Sequence, residues 1–245
     1  MTNFAVLSHP RSGTTYFISK MLKSHPDIKC HDEIFNKKRG KPIHVMLERQ
    51  YKLKPYYDEI YNNNPIKFIE SYYNKVRLKT DKKCVGFKMF HSQLSPHIIN
   101  TYALQKIKII LLRRMNLGKA ALSWEIATTT KQWDIRNKAE LKPFEINLSN
   151  LKKFITYYNN QLNKSELILL ENNIPHLKLN YEDLFQEYTY KKVSAFLDIN
   201  EFKNKTASTS NKLNSVDRYK AIVNIKDVQQ YLIDLGYDNI LTEKL

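Results

Sequence analysis

The chain has few of the residues that build loops, covalent staples or membrane spans. Its 245 residues include only 5 glycines, 8 prolines and 2 cysteines. So little glycine and proline leaves small room for a linker-rich or repeat architecture, and no internal repeat is visible. Cys30 and Cys84 cannot hold a disulfide framework in a chain of this length. No apolar run approaches the ~18 residues that a membrane helix needs. The N-terminal run Phe4-Ala5-Val6-Leu7 is too short for a signal-peptide core. Together these absences lead us to expect a cytoplasmic protein in a reducing compartment. H-E-x-x-H and paired C-x-x-C spacings are missing too, so no structural or catalytic metal is expected.

What the sequence does have is apolar mass and positive charge. Hydrophobic residues make up 42% of it, enough for a substantial core and against global disorder. The length suits one large α/β domain spanning residues 1–245. The formal net charge is +16, which draws anions toward the surface and speeds their association. The lysines are scattered, and no zinc finger, RNP signature or basic tail appears. Nucleic acid and a polyanionic nucleotide are both candidate partners on charge alone; the missing signatures count against nucleic acid, and no nucleic-acid partner is expected.

Periodicity gives the order of elements. Phe4 to Ser8 reads as a buried strand, followed by a polar loop and a helical run through Leu22. Pro65 opens a helix with Ile66, Ile69, Tyr73 and Val76 on one face. Val85 to Phe90 is a second strand, and Ser95-Pro96 caps the next helix. Lys108 to Leu112 is the clearest buried strand. A helix carrying Leu117, Ala120, Ala121, Trp124 and Ala127 follows it. Leu151 to Leu162 marks a long helix that ends before Pro175. His176 to Tyr181 is a further strand, Tyr190 to Leu197 a helix, and Lys203 to Ser215 a polar loop. A last helix begins near Lys226. Strands alternating with helices predict a parallel sheet covered on both faces, with ligands beyond the carboxyl ends of its strands.

Two motifs fall at such ends. Pro10-Arg11-Ser12-Gly13-Thr14-Thr15 lies between the first strand and the first helix. A helix start offers unpaired N–H groups and the positive end of the dipole to an oxyanion. Gly13 allows close backbone approach; Ser12, Thr14 and Thr15 add hydroxyls, and Arg11 adds a forked cation. The first glycine and terminal lysine of a Walker A loop are absent, which removes the main support for a kinase. The second motif is Arg113-Arg114 at the end of the strongest strand, with Ser123 on the following helix. One nucleoside with anionic groups at both ends would satisfy both motifs.

P-R-S-G-T-T-Y-F resembles the 5′-phosphosulfate loop of sulfotransferases that use 3′-phosphoadenosine 5′-phosphosulfate (PAPS). L-L-R-R-M-N-L-G-K-A-A-L-S-W resembles their 3′-phosphate segment, and Tyr181-Glu182-Asp183-Leu184 is similar to another common segment of the family. Leu122 to Ala127 with Gln132-Trp133 looks most like the bacterial NodH-type carbohydrate sulfotransferases. The resemblance implies a P-loop-like sheet flanked by helices on both faces, and PAPS as co-substrate with 3′-phosphoadenosine 5′-phosphate (PAP) as product. It further implies a glycan or other small acceptor with a free hydroxyl. Arg11, Ser12, Gly13, Thr14 and Thr15 would hold the 5′ end, and Ser123 with Arg114 or Arg113 the 3′-phosphate. Two groups compete as general base. Glu33, in Cys30-His31-Asp32-Glu33-Ile34-Phe35, matches the glutamate of the bacterial branch. His91, after Lys88 at a strand end, lies where animal cytosolic members place lysine and histidine. Trp133, Trp124 and Phe35 are candidate surfaces for a sugar face. Lys212 and Arg218 are weaker candidates for closing over the nucleotide. A basic nucleotide- or nucleic-acid-binding module without turnover is the reading from another class.

Overall fold

The computed structural model describes residues 1–35, 50–53, 65–104, 106–133, 141–203 and 219–237. They group into two compact units. The first is formed by Met1–Arg113 with Gln161–Thr206, and the second by Arg114–Asn160 with Ala207–Leu245.

Five strands organise the first unit: β1 (Thr2–Ser8), β2 (Ile28–Glu33), β3 (Cys84–Phe90), β4 (Lys108–Arg113) and β5 (His176–Asn180). They form one sheet in the order β2-β3-β1-β4-β5, and every pairing is parallel. The protein is thus an α/β protein with helices flanking an all-parallel sheet. Strand alternation divides its side chains between two apolar layers. Ala5, Leu7, Val85, Phe87, Met89, Ile109 and Leu111 share one core with Phe68, Ile69, Tyr72, Tyr73 and Val76 of helix α2 (Pro65–Arg77). Ile98, Ile99 and Tyr102 of α3 (Pro96–Leu104) join it. Phe4, Val6, Ile110, Leu112 and Leu179 point the other way, onto Phe17, Ile18, Met21 and Leu22. Tyr190, Val193 and Leu197 of α6 (Glu187–Leu197) complete that layer. Burial on both faces is why β1 and β4 read as continuous apolar runs.

The first helix differs from expectation in pitch. Helix α1 (Thr14–Tyr16) passes into a π-helical turn over Phe17–Met21 and a 3₁₀ turn over Leu22–Ser24. His25 then takes an extended conformation ahead of Pro26, and the chain enters β2. This strand escapes a sequence reading because I-K-C-H-D-E carries no apolar run. It is an edge strand, paired only with β3, and its register slips by one residue between His31 and Glu33. The slip leaves Asp32 out of the pairing and brings Glu33 opposite Lys88. Both cysteines are free and buried in this unit.

The second unit is mainly helical. Asn116 caps α4 (Leu117–Thr130), its Oδ1 accepting from the Lys119 N–H at 2.9 Å. Helix α5 (Leu148–Glu171) begins in this unit; its residues from Gln161 onward belong to the first. Phe144 and Ile222 form an isolated parallel bridge beside α7 (Ile225–Asp234). Asn224 holds both backbone groups of Ile146, each at 2.9 Å. Ala120, Ala121, Leu122, Ile126, Leu151, Val228 and Leu232 form its core. Among the described residues, no helix is long and apolar enough to cross a membrane.

Candidate functional site

Because the sheet is wholly parallel, all five strands end on one edge, and the candidate groups of the first unit gather there. β1 lies between β3 and β4, with Ser8 opposite Phe90 on one side and Leu112 on the other. In the order β2-β3-β1-β4-β5, the strand that follows β1 in sequence lies to one side of it and the strand that follows β4 lies to the other, so the winding reverses between β1 and β4. Such crevices are where open α/β sheets bind ligands. The expected loop, residues 10–15, leaves β1 at that crevice, and Arg113 ends β4 beside it.

The loop's shape depends on two residues with positive φ, Arg11 at 65° and Gly13 at 79°. Gly13 is required twice over. Its φ lies in the left-handed region, and a Cβ there would come within 2.0 Å of Cδ2 of Tyr181. The Tyr181 ring therefore lies directly on the glycine, closing the loop from the β5 side. Ser12 is fully buried, and among the described residues its Oγ has no hydrogen-bond partner. The same holds for Ser8 at the end of β1. Unsatisfied buried hydroxyls cost stability unless something else bonds them. Thr14 is buried and Thr15 exposed, while Gly13 C=O accepts the first helical bond from Phe17 N–H at 3.1 Å.

Glu33 and Lys88 form the second feature. Lys88 Nζ lies 3.0 Å from Glu33 Oε1, and its side chain is 8% exposed against 22% for the carboxylate. The ammonium also sits 4.7 Å from the Phe90 ring centroid. A buried lysine needs such a partner, and it fixes where the carboxylate points. Sequence reasoning named each residue but not their pairing; the β2 bulge that creates it leaves no sequence signature.

His91 is placed differently. It opens a 3₁₀ turn (His91–Gln93) after β3 and is 2% exposed. Its Nδ1 pairs with Ser165 Oγ at 2.8 Å, and its Nε2 is buried with no partner among the described residues. Burial, then the neighbouring His9, lowers its pKa to about 3, so the ring is neutral at physiological pH. Gln93 of the same turn donates to Phe35 C=O at 3.2 Å.

Arg113 donates from Nε to Asn180 Oδ1 at 2.9 Å, and Asn180 donates in turn to Asp183 at 2.9 Å. Arg114 opens the second unit, and Ser123 lies half-buried on α4. Of the three aromatic candidates, Phe35 is buried, edge-on to Phe68 and Phe87, and offers no open face. Trp124 and Trp133 pack together in the second unit at 5.1 Å. Lys212 and Arg218 lie outside the described residues. Among the described residues, no three His, Cys, Asp or Glu side chains gather as a metal site.

Comparison with protein-family models and with curated proteins finds no match for the chain.

Proposed function

We propose that the chain is a PAPS-dependent sulfotransferase with a P-loop-like sulfotransferase fold, acting on a carbohydrate hydroxyl. The observation that carries this reading is the β1 loop. A glycine-dependent turn with an arginine and a buried, unpartnered serine hydroxyl leaves the sheet where its winding reverses. Arg11 and the loop N–H groups hold the 5′-phosphosulfate, with Ser12, Thr14 and Thr15 supplying hydroxyls. By the resemblance the 3′-phosphate falls to Ser123 with Arg114 or Arg113; the Nε of Arg113 is given to Asn180, which leaves its terminal nitrogens for an anion.

The reaction follows from these roles. The acceptor oxygen forms a bond to sulfur as the sulfur–oxygen bond to the 5′-phosphate breaks. The electron pair of that bond leaves on the phosphate oxygen, giving PAP, and the acceptor proton passes to Glu33. Arg11 stabilises the charge that accumulates on the leaving oxygen. Glu33 suits the base role better than His91. Its carboxylate is partly exposed and oriented by Lys88, whereas His91 is sealed in the core against Ser165.

Calorimetry with PAP, AMP and ATP tests the reading, followed by labelled PAPS with neutral oligosaccharide acceptors. PAP should bind at least about tenfold tighter than AMP, because only PAP carries the 3′-phosphate. Equal affinity for the two, or magnesium-dependent turnover of ATP, would overturn it.

A further inference from the structure

We infer that Gln93 is a positioning residue for the Glu33 carboxylate, its side-chain amide bridging the ends of β2 and β3 just beyond the Glu33–Lys88 pair. The inference rests on the proposed transfer reaction for its chemistry, because it concerns how the base of that reaction is held.

The ladder alone holds that end of β2 weakly. β2 is an edge strand, and among the described residues Glu33 is its last residue in register with β3, directly after the slip at Asp32. A bulge interrupts pairing, so the Glu33 backbone sits between a broken stretch of ladder and the end of the strand. β3 continues to Met89 and Phe90, which stay in register with Leu7 and Ser8 of β1 on its other side. The chain after β2 continues through Ile34 to Phe35, both buried.

Gln93 joins these two ends. Its Oε1 accepts from Phe90 N–H at 2.8 Å, and its Nε2 donates to Phe35 C=O at 3.2 Å. Phe35 lies two residues past Glu33, and Phe90 two past Lys88. One planar amide thus takes a donor from one strand end and an acceptor from the other, as the peptide group of a further rung would. The Phe35 ring, edge-on to Phe68 and Phe87, anchors the same residue in the core. The turn that carries Gln93 is itself anchored, since His91 at its start pairs with Ser165 at 2.8 Å.

The bridge needs an amide. An N–H bonds only the amide oxygen and a C=O only the NH₂, so the two partners set the orientation of the group. A glutamate at this position would still accept from Phe90 but would turn a carboxylate oxygen, not a donor, toward Phe35 C=O. Placement matters to a general base, because a shift of about 1 Å costs on the order of a hundredfold in rate.

Gln93→Glu and Gln93→Met test the inference by two separate readouts. With labelled PAPS and an oligosaccharide acceptor, kcat should fall about tenfold to a hundredfold in both variants. KM for PAPS, and PAP affinity by calorimetry, should stay within about twofold of wild type; a merely structural role would move all three together. The second readout needs no turnover. Lys88, 8% exposed in its pair with Glu33, should be acetylated slowly by an N-hydroxysuccinimide ester in the wild type and several-fold faster in both variants, as peptide mass spectrometry reads. Lys108, in the same sheet and paired with Asp198, should keep its wild-type rate and so report that the sheet is folded. Unchanged Lys88 labelling in both variants overturns the inference. So does wild-type kcat, or a loss of PAP affinity that matches the loss of turnover. If the wild type itself binds no PAP and transfers nothing, the transfer reading fails, and Lys88 labelling alone decides whether Gln93 holds the pair.

Discussion

The two units present polar chemistry by opposite means. In the first, the shape of the candidate anion loop is set by the backbone: a left-handed glycine lies under a tyrosine ring. In the second, Trp124, Phe154, Tyr157 and Tyr158, with Glu125 and Asn150, line a depression between α4 and α5. Backbone sites fail abruptly, since one added carbon displaces several donors at once. Side-chain sites fail by degrees, because each ring contributes its own share of area.

Gly13→Ala should give the largest effect and test that contrast directly. The left-handed φ alone costs about 1–3 kcal/mol, and the clash with Tyr181 adds to it. We expect a Tm several degrees lower and PAP binding beyond detection, whereas Tyr157→Ala should leave Tm near wild type. Wild-type Tm and PAP affinity in Gly13→Ala would erase the distinction.

Glu33→Gln comes next. It should lower turnover by about 10²–10⁴ with PAP affinity unchanged, since the amide takes no proton, and it should also lower Tm, because Lys88 loses its counter-charge. His91→Ala should cost far less in turnover. The reverse order of losses would hand the base role to the histidine.

Acid should separate the units. All 7 histidines fall in the first unit's segments, and none in the second. Burial, then neighbouring Lys29 and Lys23, lowers the His31 pKa to about 3; burial and His9 bring His91 to about the same value. Between pH ~6.5 and about 3 the unfolded chain binds protons that these folded rings refuse, so stability is lost as pH falls. The limiting slope is about 1.4 kcal/mol per histidine per pH unit. Hydrogen exchange between pH 7 and 5 should show residues 1–35 and 65–104 losing protection before 117–133 and 148–160. Simultaneous loss in both sets would mean that the units unfold as one.

Arg114→Ala should have the smallest effect of the four, weakening PAP about tenfold to a hundredfold and leaving AMP nearly unchanged. Arg113→Ala should instead act through β5, where its Nε bond to Asn180 is made, and weaken PAP and AMP alike.

Features encoded within a few residues were legible in the sequence. β1, β3 and β4 announce themselves as apolar runs, and the polar loop after β1 was placed from its own six residues. What was hidden depends on residues far apart in the chain. Glu33 meets Lys88 across 55 positions, and only because Asp32 bulges out of an edge strand whose polar composition disguises it. Tyr181 covers Gly13 across a still longer separation, so the position of the loop is legible in the sequence while the ring that covers it is not. The division into units is equally silent. It passes inside the continuous helix α5, where no glycine, proline or change of composition marks it.

The burial of the two cysteines has a practical consequence. Cys30 Sγ lies 3.8 Å from His31 C=O, and Cys84 Sγ lies 3.4 Å from Leu197 C=O. Burial, then Asp32, pushes the Cys30 thiol well above its ordinary range, and burial raises Cys84 to about 11. Neither forms appreciable thiolate at neutral pH, and neither is reachable by a bulky electrophile. The native protein should therefore stay silent to maleimide. A single cysteine introduced at Tyr157 or Trp133 would then be labelled alone, giving a spectroscopic handle on the second unit without removing a native residue from the core.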